Sequence, residues 1–101
     1  MPFVVLKSGY DVDITDGLTI DIERPISPHV SVVFVLIETD YRTDITVKAG
    51  EDATNWFTID RREDTYVYQQ AFLFTGKYMR VEIGAVSGAK ANYLIVGGSL
   101  S

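Results

Sequence analysis

Polar and apolar residues alternate singly along most of the chain. Leu18-Thr19-Ile20-Asp21-Ile22-Glu23 is the plainest stretch, with Leu18, Ile20 and Ile22 on one side and Thr19, Asp21 and Glu23 on the other. A period of two belongs to a strand, whose successive side chains leave opposite faces of a sheet, so this segment predicts a half-buried strand. Asp44-Ile45-Thr46-Val47-Lys48 and Met79-Arg80-Val81-Glu82-Ile83 repeat the pattern, which points Met79, Val81 and Ile83 inward and leaves Arg80 and Glu82 on the outer face. Residues 30–37 are apolar on both faces. That predicts a central strand, or one covered by a second sheet on one side and by a neighbouring subunit or the chain's own termini on the other.

No segment sustains the 3.6-residue period of a helix. Turn signals at Ser8-Gly9, Asp16-Gly17, Arg24-Pro25 to Pro28, Gly50-Glu51-Asp52, Thr75-Gly76-Lys77, Ser87-Gly88 and Gly97-Gly98 separate the strands. They divide the chain into about eight strands with no helical crossovers. The expected fold is therefore all-β: a single domain over residues 1–101, an antiparallel two-sheet sandwich of jelly-roll or immunoglobulin-like kind. Val33, Val35, Ile45, Val47, Val81 and Ile83 are expected in its core, and residues 1–7 as an N-terminal arm.

Composition narrows the classes of function. The chain has 101 residues, 47% of them hydrophobic, no cysteine and a net charge of −5. The absence of cysteine excludes disulfides, thiolate metal sites and thiol catalysis. The negative charge disfavours nucleic acid and anionic membranes as partners. Most of the excess lies early, where Asp11, Asp13, Asp16, Asp21 and Glu23 face Lys7 alone. The longest apolar run, Val32 to Ile37, is far short of the roughly 20 residues of a spanning helix. The first residues lack the basic start and long apolar stretch of a signal peptide.

Candidate chemistry is sparse. Asp11-Val12-Asp13-Ile14-Thr15-Asp16-Gly17 has the oxygen spacing of a calcium loop, but Asp16 stands in the glycine slot and Ile22 where the bidentate glutamate belongs. The stretch reads instead as a strand ending in an Asp-Gly turn. Arg24-Pro25-Ile26-Ser27-Pro28 holds a nominal P-x-x-P and reads as a rigid connector between strands. His29 is the single histidine, and no G-x-S-x-G elbow offers it a serine. Asp60, Glu63 and Asp64 bracket Arg61-Arg62 and could equip glycoside hydrolysis, yet the same pattern describes a charged hairpin loop. A sandwich of this size has little material left for a substrate cleft. The expectation is a non-enzymatic protein with no cofactor.

Aromatic residues carry more information. Tyr66, Tyr68, Phe72 and Phe74 share one face of a strand while Val67, Ala71 and Leu73 share the other. Both faces being apolar predicts a subunit interface on one of them, assigned to Tyr66, Tyr68, Phe72 and Phe74.

Several stretches of the second half carry a resemblance. They are Ile45-Thr46-Val47 leading through Gly50-Glu51-Asp52 to Asn55-Trp56-Phe57-Thr58-Ile59, Thr75-Gly76-Lys77-Tyr78-Met79-Arg80-Val81, and Ser87-Gly88-Ala89-Lys90-Ala91-Asn92-Tyr93-Leu94. Over roughly residues 30–98 the chain resembles the small β-sandwich decoration, or cement, proteins of tailed-bacteriophage heads. The resemblance implies a structural protein made in the host cytoplasm and carried on the virion. It would bind the major capsid protein on the outer capsid surface, often as a trimer, and stabilise the shell by bridging capsid subunits. Phe3, Val4, Val5 and Leu6, at the acidic end outside the matched stretch, are the expected capsid contact. A Trp strand followed by Gly-x-Tyr-x-Arg-Val is also similar to discoidin-type carbohydrate-binding jelly rolls. The alternative is thus a sugar-binding module whose platform is Trp56, Tyr41 and Tyr78.

Overall fold

A computed structural model describes residues 3–23, 32–73 and 76–98. It contains six strands: β1 (Val4–Asp13), β2 (Leu18–Glu23), β3 (Val32–Gly50), β4 (Phe57–Leu73), β5 (Tyr78–Ile83) and β6 (Lys90–Gly98). Every pairing is antiparallel. The strands form one hydrogen-bonded sheet of order β1-β6-β3-β5-β2, with β4 on the other side of β3.

Two long strands organise this sheet. One edge of β3 pairs with β6 from Val32 to Thr39 and with β5 from Ile45 to Gly50, while its other edge carries β4. The sheet therefore has an arm of β1, β6 and the first half of β3, and an arm of β2, β5 and the second half. Between them the ladder is irregular: Thr43 pairs with Thr65 and Ile45 with Arg62, so Glu63 and Asp64 together oppose Asp44. The extra residue is a bulge, which bends a strand and increases its twist. Asp64 takes φ 54 there, and its N–H donates to an Asp44 carboxylate oxygen at 3.0 Å.

The size of the bend follows from one hydrogen bond. The Tyr68 hydroxyl donates to Asp60 Oδ2 at 2.5 Å, although eight positions of a straight strand span about 26 Å. β4 must curl back on itself, and the sheet with it, into a half-barrel.

The core fills the concave side. Val33, Val35, Ile45, Val47, Val81 and Ile83, the residues expected there, are each at 2% exposure or less, joined by Ile20, Ile22, Ile37, Met79 and Ile95. Ile14 closes the end between β1 and β2: its N–H donates to Ala89 O, and its carbonyl accepts from Gly17 and Val86. The Asp11–Gly17 stretch is the expected strand end and turn, with Asp13 Oδ1 accepting from the Thr15 N–H and hydroxyl.

Six strands in one curled sheet replace the expected eight in two among the described residues, and the physical cause is identifiable. Residues 32–37 and 44–48, read as separate strands, are one strand because Glu38–Thr43 stays extended through the bend. Asp60-Arg61-Arg62-Glu63-Asp64, read as a hairpin loop, is continuous β4, bent by a bulge rather than reversed by a turn. The expected N-terminal arm is also corrected, since Val4, Val5 and Lys7 pair with Gly97, Val96 and Ile95 of β6. The Pro25–Pro28 connector, His29 and Phe74 lie outside the described residues.

Candidate functional site

The convex side of the first arm is apolar as well. On β3, Phe34 and Leu36 alternate with the core residues and point away from them; Phe34 pairs with Ala71 of β4 and Val96 of β6, Leu36 with Gln69 and Leu94. Phe3 packs edge-on against Phe34 with ring centroids 5.5 Å apart. Phe3, Phe34, Leu36, Gln69, Gln70, Ala71 and Val96 line a shallow groove of about 530 Å³ that no charged side chain enters among the described residues. Phe34 is 37% exposed, and Leu94 and Val5 are also open to solvent. Large apolar patches on a small domain are common sites of protein or ligand contact. Its lining holds no ionisable side chain among the described residues.

Of the predicted contact residues one belongs to this groove. Phe3 lines it, Val4 and Val5 are exposed on β1, and Leu6 packs against the core. The predicted self-association set needs correction. Tyr68 is 1% exposed and belongs to the core, as Phe72 partly does. Burial, and after it the bond to Asp60, pushes the Tyr68 hydroxyl well above its ordinary range. Tyr66 is half exposed, with the Arg42 guanidinium 5.6 Å over its ring. The outward apolar residues of the second half of β4 are Val67, Ala71 and Leu73, the face to which self-association was not assigned.

Two of the three residues of the proposed sugar platform lie together. Trp56 and Tyr78 line a cleft of about 440 Å³ with Lys7, Asp21, Glu23 and Ala53. Tyr41 sits on the bend of β3, nine positions before Gly50, which pairs with Tyr78. The Trp56 ring also has an internal partner: the Arg80 guanidinium lies 4.4 Å over it and donates to Asp21 at 2.6 and 2.9 Å. That hydrogen bond holds the Asp21 carboxyl below its ordinary value. The turn before Trp56 is built by Asp52, whose Oδ1 accepts from the N–H groups of Thr54 and Asn55.

The carboxylates of the charged segment are engaged separately: Asp60 by Tyr68, Glu63 by Arg61, and Asp64 by Arg42. No cluster of three or more metal-ligating side chains occurs among the described residues. Sequence reasoning missed the groove residues Phe34, Leu36 and Val96. The signal that could have found them was the apolarity of residues 30–37 on both faces, once the described residues were known to supply no second sheet over this arm.

Comparison with known protein families finds no match, and comparison with curated proteins finds none either. Among solved structures, a crystal structure described as "PBSX exported protein XepA" shares the fold at a TM-score of 0.65 and 12% sequence identity. The match covers 99% of this chain and 38% of that one, so the chain spans about two fifths of that protein's length.

Proposed function

We propose that this chain is a non-enzymatic structural protein of a tailed-phage particle. It lays the convex face of its first arm on the outer capsid surface, contacts the major capsid protein, and stabilises the shell by bridging neighbouring subunits. Made in the host cytoplasm, it resides on the virion and acts as a homo-oligomer. The observation that carries the reading is the uncharged apolar groove around Phe34, a surface suited to covering a protein and not to chemistry. The fold shared with the PBSX exported protein supports it. Oligomers bound to a symmetric lattice gain by avidity, about 10²–10⁴ over a single site, because each further contact is effectively intramolecular.

The test is co-sedimentation with capsids of the source phage. Phe34→Glu places a charge in the groove and should weaken capsid binding by about tenfold or more, the equivalent of 1.4 kcal/mol, while the circular dichroism spectrum stays unchanged. Equal binding by Phe34→Glu and the native chain would overturn the reading. A carbohydrate-binding role is the second reading, favoured by the cleft that pairs Trp56 and Tyr78 with Asp21 and Glu23. Defined specificity on a glycan array, lost in Trp56→Ala, would support it over the first.

A further inference from the structure

A single curled sheet that does not close on itself leaves open edges, and an open edge offers unpaired N–H and C=O groups to any strand that fits. Among the described residues three strands pair on one side only: β1, β2 and β4. Natural proteins blunt such edges with charge, bulges or short length. β1 is interrupted by register shifts between Val5 and Lys7 and between Gly9 and Val12, and Asp11 sits at φ 59. β2 has six residues and carries Asp21 and Glu23. The first half of β4 is charged through Asp64 and ends at the bulge.

The stretch Tyr66-Val67-Tyr68-Gln69-Gln70-Ala71-Phe72 is different. From Val67 to Phe72 it pairs regularly with Leu36–Glu38 and Val33–Val35 of β3, Tyr66 lies at the register shift beyond Glu38, and the whole stretch holds no charged residue, proline or glycine. Its outward groups can be assigned. The Tyr66 carbonyl turns toward β3, where it accepts from the Thr39 hydroxyl at 3.3 Å. The backbone of Val67 therefore turns the other way, and Thr65 Oγ1 meets its carbonyl at 2.8 Å and its N–H at 3.3 Å. By the alternation of a strand, Gln69 and Ala71 direct their backbone groups outward as Val67 does, with no strand beside them among the described residues.

We infer that two copies of this chain pair antiparallel along this edge, centred on Gln69. In that register Gln69 faces its own counterpart, Val67 faces Ala71 and Tyr66 faces Phe72. The outward backbone groups of the two Gln69 residues meet directly, and those of Val67 meet Ala71 once the Thr65 hydroxyl gives up the Val67 N–H, which makes three doubly hydrogen-bonded pairs. No like charges are opposed, whereas β2 paired with itself would set its acidic residues together. The pairing also joins the two convex faces, so the grooves around Phe34 and Ala71 become one apolar surface across a twofold axis. It rests on the proposed function only in treating the working form as an oligomer.

The experiment is sedimentation velocity of the full chain across a concentration series, without capsid. The native chain is expected to dimerise. Gln69→Lys and Gln69→Glu each oppose like charges across the axis and should weaken self-association by about tenfold or more, with the circular dichroism spectrum unchanged. An equimolar mixture of the two should restore a heterodimer, which neither a misfolded variant nor a distant interface would do. A native chain that stays monomeric at high micromolar concentration overturns the pairing, as does a Gln69→Lys variant that associates like the native chain. A trimer would overturn the pairing and leave the capsid proposal standing. A dimer that ignores capsids would do the reverse.

Discussion

Replacing Tyr68 by phenylalanine removes one hydroxyl from the core and with it the only hydrogen bond described between the two halves of β4. The bond runs from the Tyr68 hydroxyl to a carboxylate of Asp60 at 2.5 Å, and the ring itself is 1% exposed. A hydrogen bond to a charged partner contributes about 1.5–3 kcal/mol. Asp60 is only partly buried and regains some water when the hydroxyl is gone, so the expected loss for Tyr68→Phe is about 1–2 kcal/mol. A domain of this length shifts its Tm by about 4–8 °C per kcal/mol, which places the melting point lower by about 5–15 °C. Tyr68→Ala adds a cavity and should cost about 3–5 kcal/mol. The hydroxyl titrates above its ordinary value of 10.0 in the folded chain. A raised pKa contributes stability that is present below that ordinary value and declines as pH rises beyond it. Native protein should therefore lose stability above about pH 10 more steeply than Tyr68→Phe does. Urea denaturation at neutral and alkaline pH reads both effects, and a double-mutant cycle with Asp60→Asn isolates the pair. If Tyr68→Phe is neutral, or if the two substitutions are additive, the bond does not hold the curl and the reasoning fails.

Two further outcomes follow from local geometry. Gly76→Ala should cost about 1–3 kcal/mol in denaturant melts, because Gly76 has φ +80 and a Cβ there would stand 2.7 Å from the Gly50 carbonyl oxygen; equal stability would refute the packing described at this turn. Asp13, Asp21 and Asp52 are all held below the ordinary 3.8, by the Thr15 hydroxyl, by Arg80 and by the Asn55 N–H respectively. Their contribution is complete above that value and lost as pH falls through the lowered folded-state values, so Tm should fall below about pH 4. The triple Asp→Asn variant should show a shallower acid limb, and an unchanged one would contradict the assignment.

Local pattern alone determined a great deal about this protein. A period of two needs no tertiary information, because strand geometry places alternate residues on opposite faces. The all-β class, the antiparallel pairing and the six core residues Val33, Val35, Ile45, Val47, Val81 and Ile83 were legible for that reason. The candidate surface was half legible: the apolarity of residues 30–37 on both faces announced a covered strand, but not which face lacked its cover. Only the tertiary structure decided that strands read as separate run on as β3 and β4, since a bulge leaves the chain extended while redirecting it, and no turn residue marks it. The same bend decides the fate of the β4 aromatics. Alternation places Tyr68 and Val67 on opposite faces and is silent on which one faces the core. The curl settles it by bringing Tyr68 onto Asp60, eight residues away, and leaving Val67 outside.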